Sequence, residues 1–278
     1  MLIAQISDTH IVPKHEHWLE EPLTRVDQRL AEVVEFLNQL DPSPDVVLLT
    51  GDVTEGEASA YRYFKELIQS LKSPLYVIPG NHDKREEMRS AFKDTPYMPK
   101  EGFIQYAIDD YPVRLIGLDT LVEGEVYGRL CEERVRWLEN TLEQSPEKPT
   151  LIFMHHPPKK IGSKLFDEMI CFCPPAFESL IEKDPVIGII AGHYHHFCVN
   201  SFGKKPCFIA PSVAPVHYFA HPEDRDVTAL ELEDPAITLH LWEGDTGWVS
   251  HVRRIKENYK RLDWQSLKKK ENVAPCLL

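Results

Sequence analysis

The 278-residue chain has no apolar run near the ~20 residues that a membrane-spanning helix needs. Its N-terminus, Met1-Leu2-Ile3-Ala4-Gln5-Ile6-Ser7-Asp8, lacks a basic region and has too short an apolar run for a secretory signal. A cytoplasmic protein with no membrane partner is expected. Paired cysteine motifs are missing too. Cys131, Cys171, Cys173, Cys198, Cys207 and Cys276 are scattered without C-x-x-C spacing, so free thiols are expected rather than a zinc site or a disulfide framework. The spacing of Cys171-Phe172-Cys173 alone does not define a site, and the ending Cys276-Leu277-Leu278 is one residue short of a prenylation box. Positive charge is scarce: 31 Lys and Arg face 44 Asp and Glu, for a net charge of −13. That excludes a general binder of nucleic-acid polymers or anionic membranes. It does not exclude phosphate, provided metal ions supply the charge. Repeats and low-complexity linkers are also absent. The basic exception is 251–278, with eight Lys/Arg against three Asp/Glu, read as a solvated tail folding over an acidic surface.

What is present is an ordinary globular composition, 42% hydrophobic and 27% charged, with length for one large α/β domain or two smaller ones. The apolar runs Leu2–Ile6, Val46–Leu49 and Leu75–Ile78 read as strands. Between them, apolar residues at helical spacing predict helices over about 22–40 and from Ala60 to Leu71. This alternation implies a mostly parallel sheet with covering helices. Val113–Leu118, Leu151–Met154 and Val186–Ile190 read as further strands, with helices near 131–144 and 175–183. Later, short β-like runs take over at Cys207–Ala210, Val227–Leu232, Ile237–Trp242 and Trp248–Val252, and they predict a second, more antiparallel sheet.

Five of these strands end in metal-capable residues. They deliver Asp8 and His10; Asp52; Asn81 and His82; His155; and His193 with His195. Each block alone reads as a cap, turn or surface loop. Together, in order and each at a strand end, they point to one rim, because open α/β sheets bind ligands outside the carboxyl ends of their strands. Two carboxylates, one amide and four imidazoles suit borderline divalent ions such as iron, manganese, zinc or cobalt. Seven ligands exceed one open catalytic ion. They fit two ions sharing a carboxylate, roughly 3.5–4 Å apart as in two-metal sites generally. Such a pair activates water and neutralises phosphoryl charge. His82, beside Asn81, is then placed to contact the phosphoryl group or protonate the leaving oxygen. Asp83 reads as a carboxylate that orients a neighbouring histidine.

Asp8-x-His10, Gly51-Asp52, Gly80-Asn81-His82-Asp83, His155-His156-Pro157 and Gly192-His193-x-His195 resemble the five blocks of the calcineurin-like metallophosphoesterase superfamily. The likeness spans about 1–217. It is greatest to class III cyclic-nucleotide phosphodiesterases and the bacterial glycerophosphodiesterase group. The resemblance implies a four-layer α-β-β-α sandwich of two mixed sheets, over about 1–250, followed by the basic tail. It implies one ion on Asp8, His10, Asp52 and His195, and another on Asp52, Asn81, His155 and His193. Asp52 bridges, and His82 is the catalytic histidine facing substrate. It also implies a homo-oligomer, dimer or higher, formed through about 200–250, where Phe202, Phe208, Tyr218 and Phe219 stand; these aromatics equally read as core.

The expected activity is hydrolysis of a small phosphodiester, with glycerophosphodiester-like substrates ahead of 3',5'-cyclic nucleotides. A non-catalytic interaction module on the same fold, like the retromer subunit, would show eroded ligands, and here all seven stand. After Asp52 the chain runs Val53-Thr54-Glu55-Gly56-Glu57, which departs from the relatives and places Glu55 or Glu57 near the rim. His196, His217, Lys159, Lys160 and Lys164 are weaker candidates for substrate contact.

Overall fold

Alternate residues of a strand point to opposite sides, and in the central strands this period builds the layers. The computed structural model describes residues 1–163, 166–218, 229–244 and 247–256. Its first part runs β1 (Leu2–Ile6), α1 (Val26–Gln39), β2 (Val46–Leu49), α2 (Ala58–Leu67), β3 (Leu75–Val77) and α3 (Arg85–Phe92). The middle adds β4 (Tyr106–Ile108), β5 (Arg114–Leu118), β6 (Gly128–Arg129), α4 (Glu132–Glu143), β7 (Thr150–Met154), β8 (Cys171–Phe172), α5 (Pro175–Ile181) and β9 (Val186–Ala191). The last part holds β10 (Cys198–Phe202), β11 (Lys205–Ile209), β12 (Val216–His217), β13 (Leu230–Glu231), β14 (Ala236–Trp242) and β15 (Trp248–Arg254).

Two sheets result. The first has the order β15-β14-β1-β2-β3, with β1, β2 and β3 parallel and the other two antiparallel. The second has the order β10-β11-β9-β7-β5-β4, parallel from β11 to β5 with antiparallel edge strands. Leu115, Leu151, Phe153 and Ile190 share one core with Ile3 and Ile78 of the first sheet. Their neighbours Ile116, Ile152, Met154 and Ile189 pack instead with Val135, Leu138, Phe177 and Leu180 of α4 and α5. The first sheet is backed by Leu30, Val33 and Leu37 of α1 and Phe64 of α2. The layers are therefore helix, sheet, sheet, helix, and both sheets are mixed.

Several expectations change at the edges. The first helix begins at Val26, not near 22, because Trp18–Glu20 forms a short 3-10 turn and Arg25 sits at φ 48°. The second helix stops at Leu67 rather than Leu71. The late strands do not make one sheet together; β13 pairs only with β12. β11 joins the second sheet beside β9, whereas β14 and β15 extend the first beside β1. The open edge of β1 supplies the unpaired ladder that β14 completes. Helix α3 was not predicted, since Met88 and Phe92 are too few apolar residues to declare a period. Strands β4 and β10 were missed because one has three residues and the other is half-exposed. Lys164, Phe219, Cys276, the start of the Val227–Leu232 run and most of the basic tail lie outside the described residues. Among the described residues, no helix is long and apolar enough to cross a membrane.

Candidate metal centre

β1, β2 and β3 of one sheet and β7 and β9 of the other deliver all seven predicted ligands to one place. The segments leaving β1 and β2 run side by side. Thr9 and His10 donate their backbone N–H to Asp52 O, Ile11 donates to Val53 O, and Glu55 returns a bond to Ile11 O. The segment after β9 is tied to the same rim, because the His193 backbone N–H donates to both Asp8 carboxylate oxygens at 3.1 Å. Five of the ligand residues lie in the left-handed region: Asp8 (φ 54°), His10 (46°), Asp52 (48°), His193 (79°) and His195 (59°). Non-glycine residues held there cost about 1–3 kcal/mol each, and such strain gathers at functional sites. Close approach sets the glycines. A Cβ on Gly80 would stand 2.2 Å from Asp52 Oδ1, and one on Gly192 would stand 2.0 Å from Ser7 Oγ.

The donors meet in two overlapping groups. In one, His195 Nε2 lies 3.1 Å from His10 Nε2 and 3.6 Å from Asp8 Oδ1, and His10 Nε2 lies 3.6 Å from Asp52 Oδ2. In the other, His155 Nε2 lies 3.3 Å from Asp52 Oδ2 and 3.1 Å from Asn81 Oδ1, with the His193 ring 5.0 Å from its own. Asp52 stands in both.

Hydrogen bonds fix the imidazoles for ligation. His155 Nδ1 donates to Thr50 O, His195 Nδ1 to Pro215 O, and His10 Nδ1 to the Glu55 carboxylate. Each leaves the Nε2 lone pair facing the cluster, as in metal-bound histidines whose other nitrogen is held by an oxygen acceptor. His193 Nε2 is buried without a hydrogen-bond partner. Burial, with neighbouring imidazoles, drives His193 and His195 well below the usual histidine range, which keeps them neutral. Burial also lowers His155, but the Asp52 and Asp8 carboxylates outweigh it and raise it to about 9. Burial opposes the ionisation of Asp52, yet His155 and His82 hold it well below the carboxylate range. Buried carboxylates, the neutral imidazoles of His193 and His195 and an orphaned ring nitrogen are a donor set that fits divalent cations.

His82 sits at the mouth, its side chain 39% exposed, and its backbone N–H donates to Asp52 Oδ1. Its Nδ1 donates to Glu55 Oε2 at 2.8 Å, and in the charged ring Nε2 carries a second proton. Burial pulls its pKa down, but Asp52 and Glu55 prevail and raise it to about 10. Glu55 also accepts from the Trp18 indole at 2.9 Å. Against burial, its bonds to His10 and His82 lower it to about 2. The orienting role expected of Asp83 thus falls to Glu55. Asp83 accepts instead from the backbone N–H of Val53, Thr54 and Gly80 and from the Tyr61 hydroxyl, pinning the β2 and β3 loops together. Burial and the Asp52 charge push Asp83 up to about 6.

Three further residues belong here. His156, next to His155 in sequence, groups with His155 and His193, and its Nδ1 meets Thr120 Oγ1 at 2.8 Å. The doubled histidine was its only local signal. Trp18 packs its ring 4.6 Å from that of His10 and carried no sequence signal at all. His217 lines the cavity with its ring 4.5 Å from that of His195, whereas His196, Lys159 and Lys160 are not in the lining. Lys159 donates to Ser201 O.

A fold of two packed mixed sheets with Asp, Asn and His at the strand ends defines a class. The family model for calcineurin-like phosphoesterases matches residues 1–197, and the chain belongs to that family. Among curated relatives, a probable glycerophosphodiester phosphodiesterase, GpdQ, of Arcobacter nitrofigilis is 34% identical over 92% of this chain and 93% of its own. The 3',5'-cyclic adenosine monophosphate phosphodiesterase CpdA of Escherichia coli is 32% identical over 76% of this chain and 75% of its own. Among solved structures, the GAP50 anchor of the Plasmodium inner membrane complex shares the fold, with a TM-score of 0.58, 11% identity, and coverage of 94% of this chain and 90% of that one.

Proposed function

We propose that the protein is a metal-dependent phosphodiesterase of small phosphodiesters, with glycerophosphodiester-like substrates favoured. The observation that carries this is the donor set, six of its members packed at 3.1–3.6 Å spacings and His193 beside them, beneath a cavity with His82 at its mouth. The favoured substrate class rests on similarity to a GpdQ-type relative along 92% of the chain. A 3',5'-cyclic nucleotide is the second reading, supported by similarity to CpdA over 76% of it. No nucleic-acid polymer and no membrane is expected as partner.

Two divalent ions, iron, manganese, zinc or cobalt, would be held by Asp8, His10, Asp52 and His195 and by Asp52, Asn81, His155 and His193, with Asp52 shared. When bound, they supply the Lewis acidity that activates a water and neutralises phosphoryl charge. The chain's own part is orientation and proton supply. Thr50, Pro215 and Glu55 fix the imidazole tautomers. His82 presents an Nε2 proton to the departing alcohol oxygen, and Glu55 holds that ring in place. We read 1–250 as one domain in a cytoplasmic homo-oligomer. In the proposed contact region Phe202 and Phe208 pack inward, and among the described residues Tyr218, Leu232 and Val249 are the large apolar side chains left exposed. A monomer in sedimentation would overturn the oligomer.

The deciding experiment assays a panel of phosphodiesters and monoesters on manganese- or iron-loaded protein, with metal analysis of the same sample. Turnover of a diester is expected, and no turnover with metal bound overturns the reading. Asp52→Ala should lose both metals. His82→Ala should keep them and slow turnover by roughly 10²–10⁴-fold, the usual worth of a positioned acid.

A further inference from the structure

The cavity over the metal cluster has a volume of about 280 Å³, and its walls differ sharply from its floor. Trp18, Leu19, Val126, Phe166, Met169 and Tyr218 form an apolar and aromatic surround. Among the described residues, no Lys or Arg lines it. Leu19 is 60% exposed and Val126 51% exposed, so both leave apolar surface in water at the mouth. Leu19 does so from a left-handed backbone, φ 56°, in which a leucine is strained. Its neighbour Trp18 is buried, packed against His10 and tied to Glu55, which also holds His82. The strained turn therefore holds an exposed leucine in fixed relation to the proposed proton donor, and the leucine gains little burial from it.

Among the described residues, the polar groups of this cavity are the donors at its floor with His82 and His217, and the rest of the wall is apolar or aromatic. Its walls gain only by covering apolar surface, at roughly 25 cal/mol per Å². We propose that Leu19 and Val126 are the lips of a subsite for an apolar or aromatic ester group. Among monoanionic phosphodiesters the enzyme thereby favours those in which one ester group is apolar or aromatic over those in which that group is small. The inference rests on the phosphodiesterase reading of the centre and narrows its substrate.

Two phosphinates separate the questions, because they carry the same single charge and have no ester bond to cleave. Calorimetric binding of methyl(phenyl)phosphinate and of dimethylphosphinate is compared on metal-loaded protein, beside turnover of the phenyl and methyl esters of 4-nitrophenyl phosphate. The phenyl phosphinate should bind at least ten-fold tighter. Leu19→Ser and Val126→Ser should each cut that ratio several-fold. Leu23→Ser, which alters a 64%-exposed leucine of the same loop outside the lining, should leave the ratio intact. Equal binding of the two phosphinates, no binding of either, or ratios unmoved by the lip variants would each overturn the subsite. Absence of turnover for both diesters with metal bound overturns the phosphodiesterase reading instead, while the phosphinate ratio still decides the subsite.

Discussion

Glu55 touches His10 at 2.6 Å, His82 at 2.8 Å and the Trp18 indole at 2.9 Å, and so joins a ligand, the proposed acid and a cavity wall through one carboxylate. Groups that orient metal-bound histidines are typically worth 10–100-fold in affinity or activity. Glu55→Gln is therefore expected to lower kcat by that amount on metal-loaded protein. In metal-free protein the same change should move the His82 titration down from about 10, since Glu55 raises it together with Asp52 and Asp83. Histidine ring signals followed by NMR against pH test this, and an unmoved His82 would remove Glu55 from the role. In the sequence Glu55 drew notice only as a rim residue, and Asp83 looked the better orienter. Sequence adjacency favoured Asp83, but folding turns its oxygens toward backbone N–H groups.

At the scale of elements, the β9 end and the β1 end meet with no spare room. Gly192→Ala would set a methyl 2.0 Å from Ser7 Oγ and 2.8 Å from Asp8 Oδ2. Overpacking of this kind costs about 1–3 kcal/mol, and here it also pushes a ligand aside. A lower melting temperature and a lower metal content are expected together. The first sheet carries a second testable contact. His240 of β14 lies buried between Gln5 of β1 (Nε2 to Oε1, 2.9 Å) and Ser250 of β15 (Nδ1 to Oγ, 2.8 Å). Burial lowers its pKa to about 3. Between about 3 and the usual ~6.5 the unfolded chain binds a proton that the native state excludes. Stability from this group is thus full above ~6.5 and is lost as pH falls toward 3, at up to about 1.4 kcal/mol per pH unit. Denaturant unfolding at several pH values should show the gap between wild type and His240→Gln closing on acidification.

For the whole molecule, the proposed metal centre is where two sheets from distant parts of the chain meet. Cations that bind only the native pair of sheets stabilise it by mass action, about 2.7 kcal/mol at a hundred-fold excess over Kd. Adding manganese to chelator-treated protein should raise the melting temperature, and Asp52→Ala should abolish the rise. An equal rise in that variant would mean the ion binds elsewhere.

The sequence by itself determined the strand ends and the residues on them. An apolar run, a turn and a polar donor are adjacent in the chain, so Leu2–Ile6 with Asp8, or Val46–Leu49 with Asp52, can be read locally. The helix–sheet–sheet–helix class came from the family resemblance that the five blocks carry, while their order by itself implied a parallel sheet with covering helices. Only the tertiary structure decided which groups meet across long separations. His10 and Glu55 are 45 residues apart and touch because the segments beyond β1 and β2 run in register, with Ile11 bridged to Thr54. Trp18 covers His10 because a strained turn brings it back over the rim. β14 lies beside β1 across more than 200 residues because an open strand edge must be paired. Such contacts depend on register and edge pairing, and no local period encodes either.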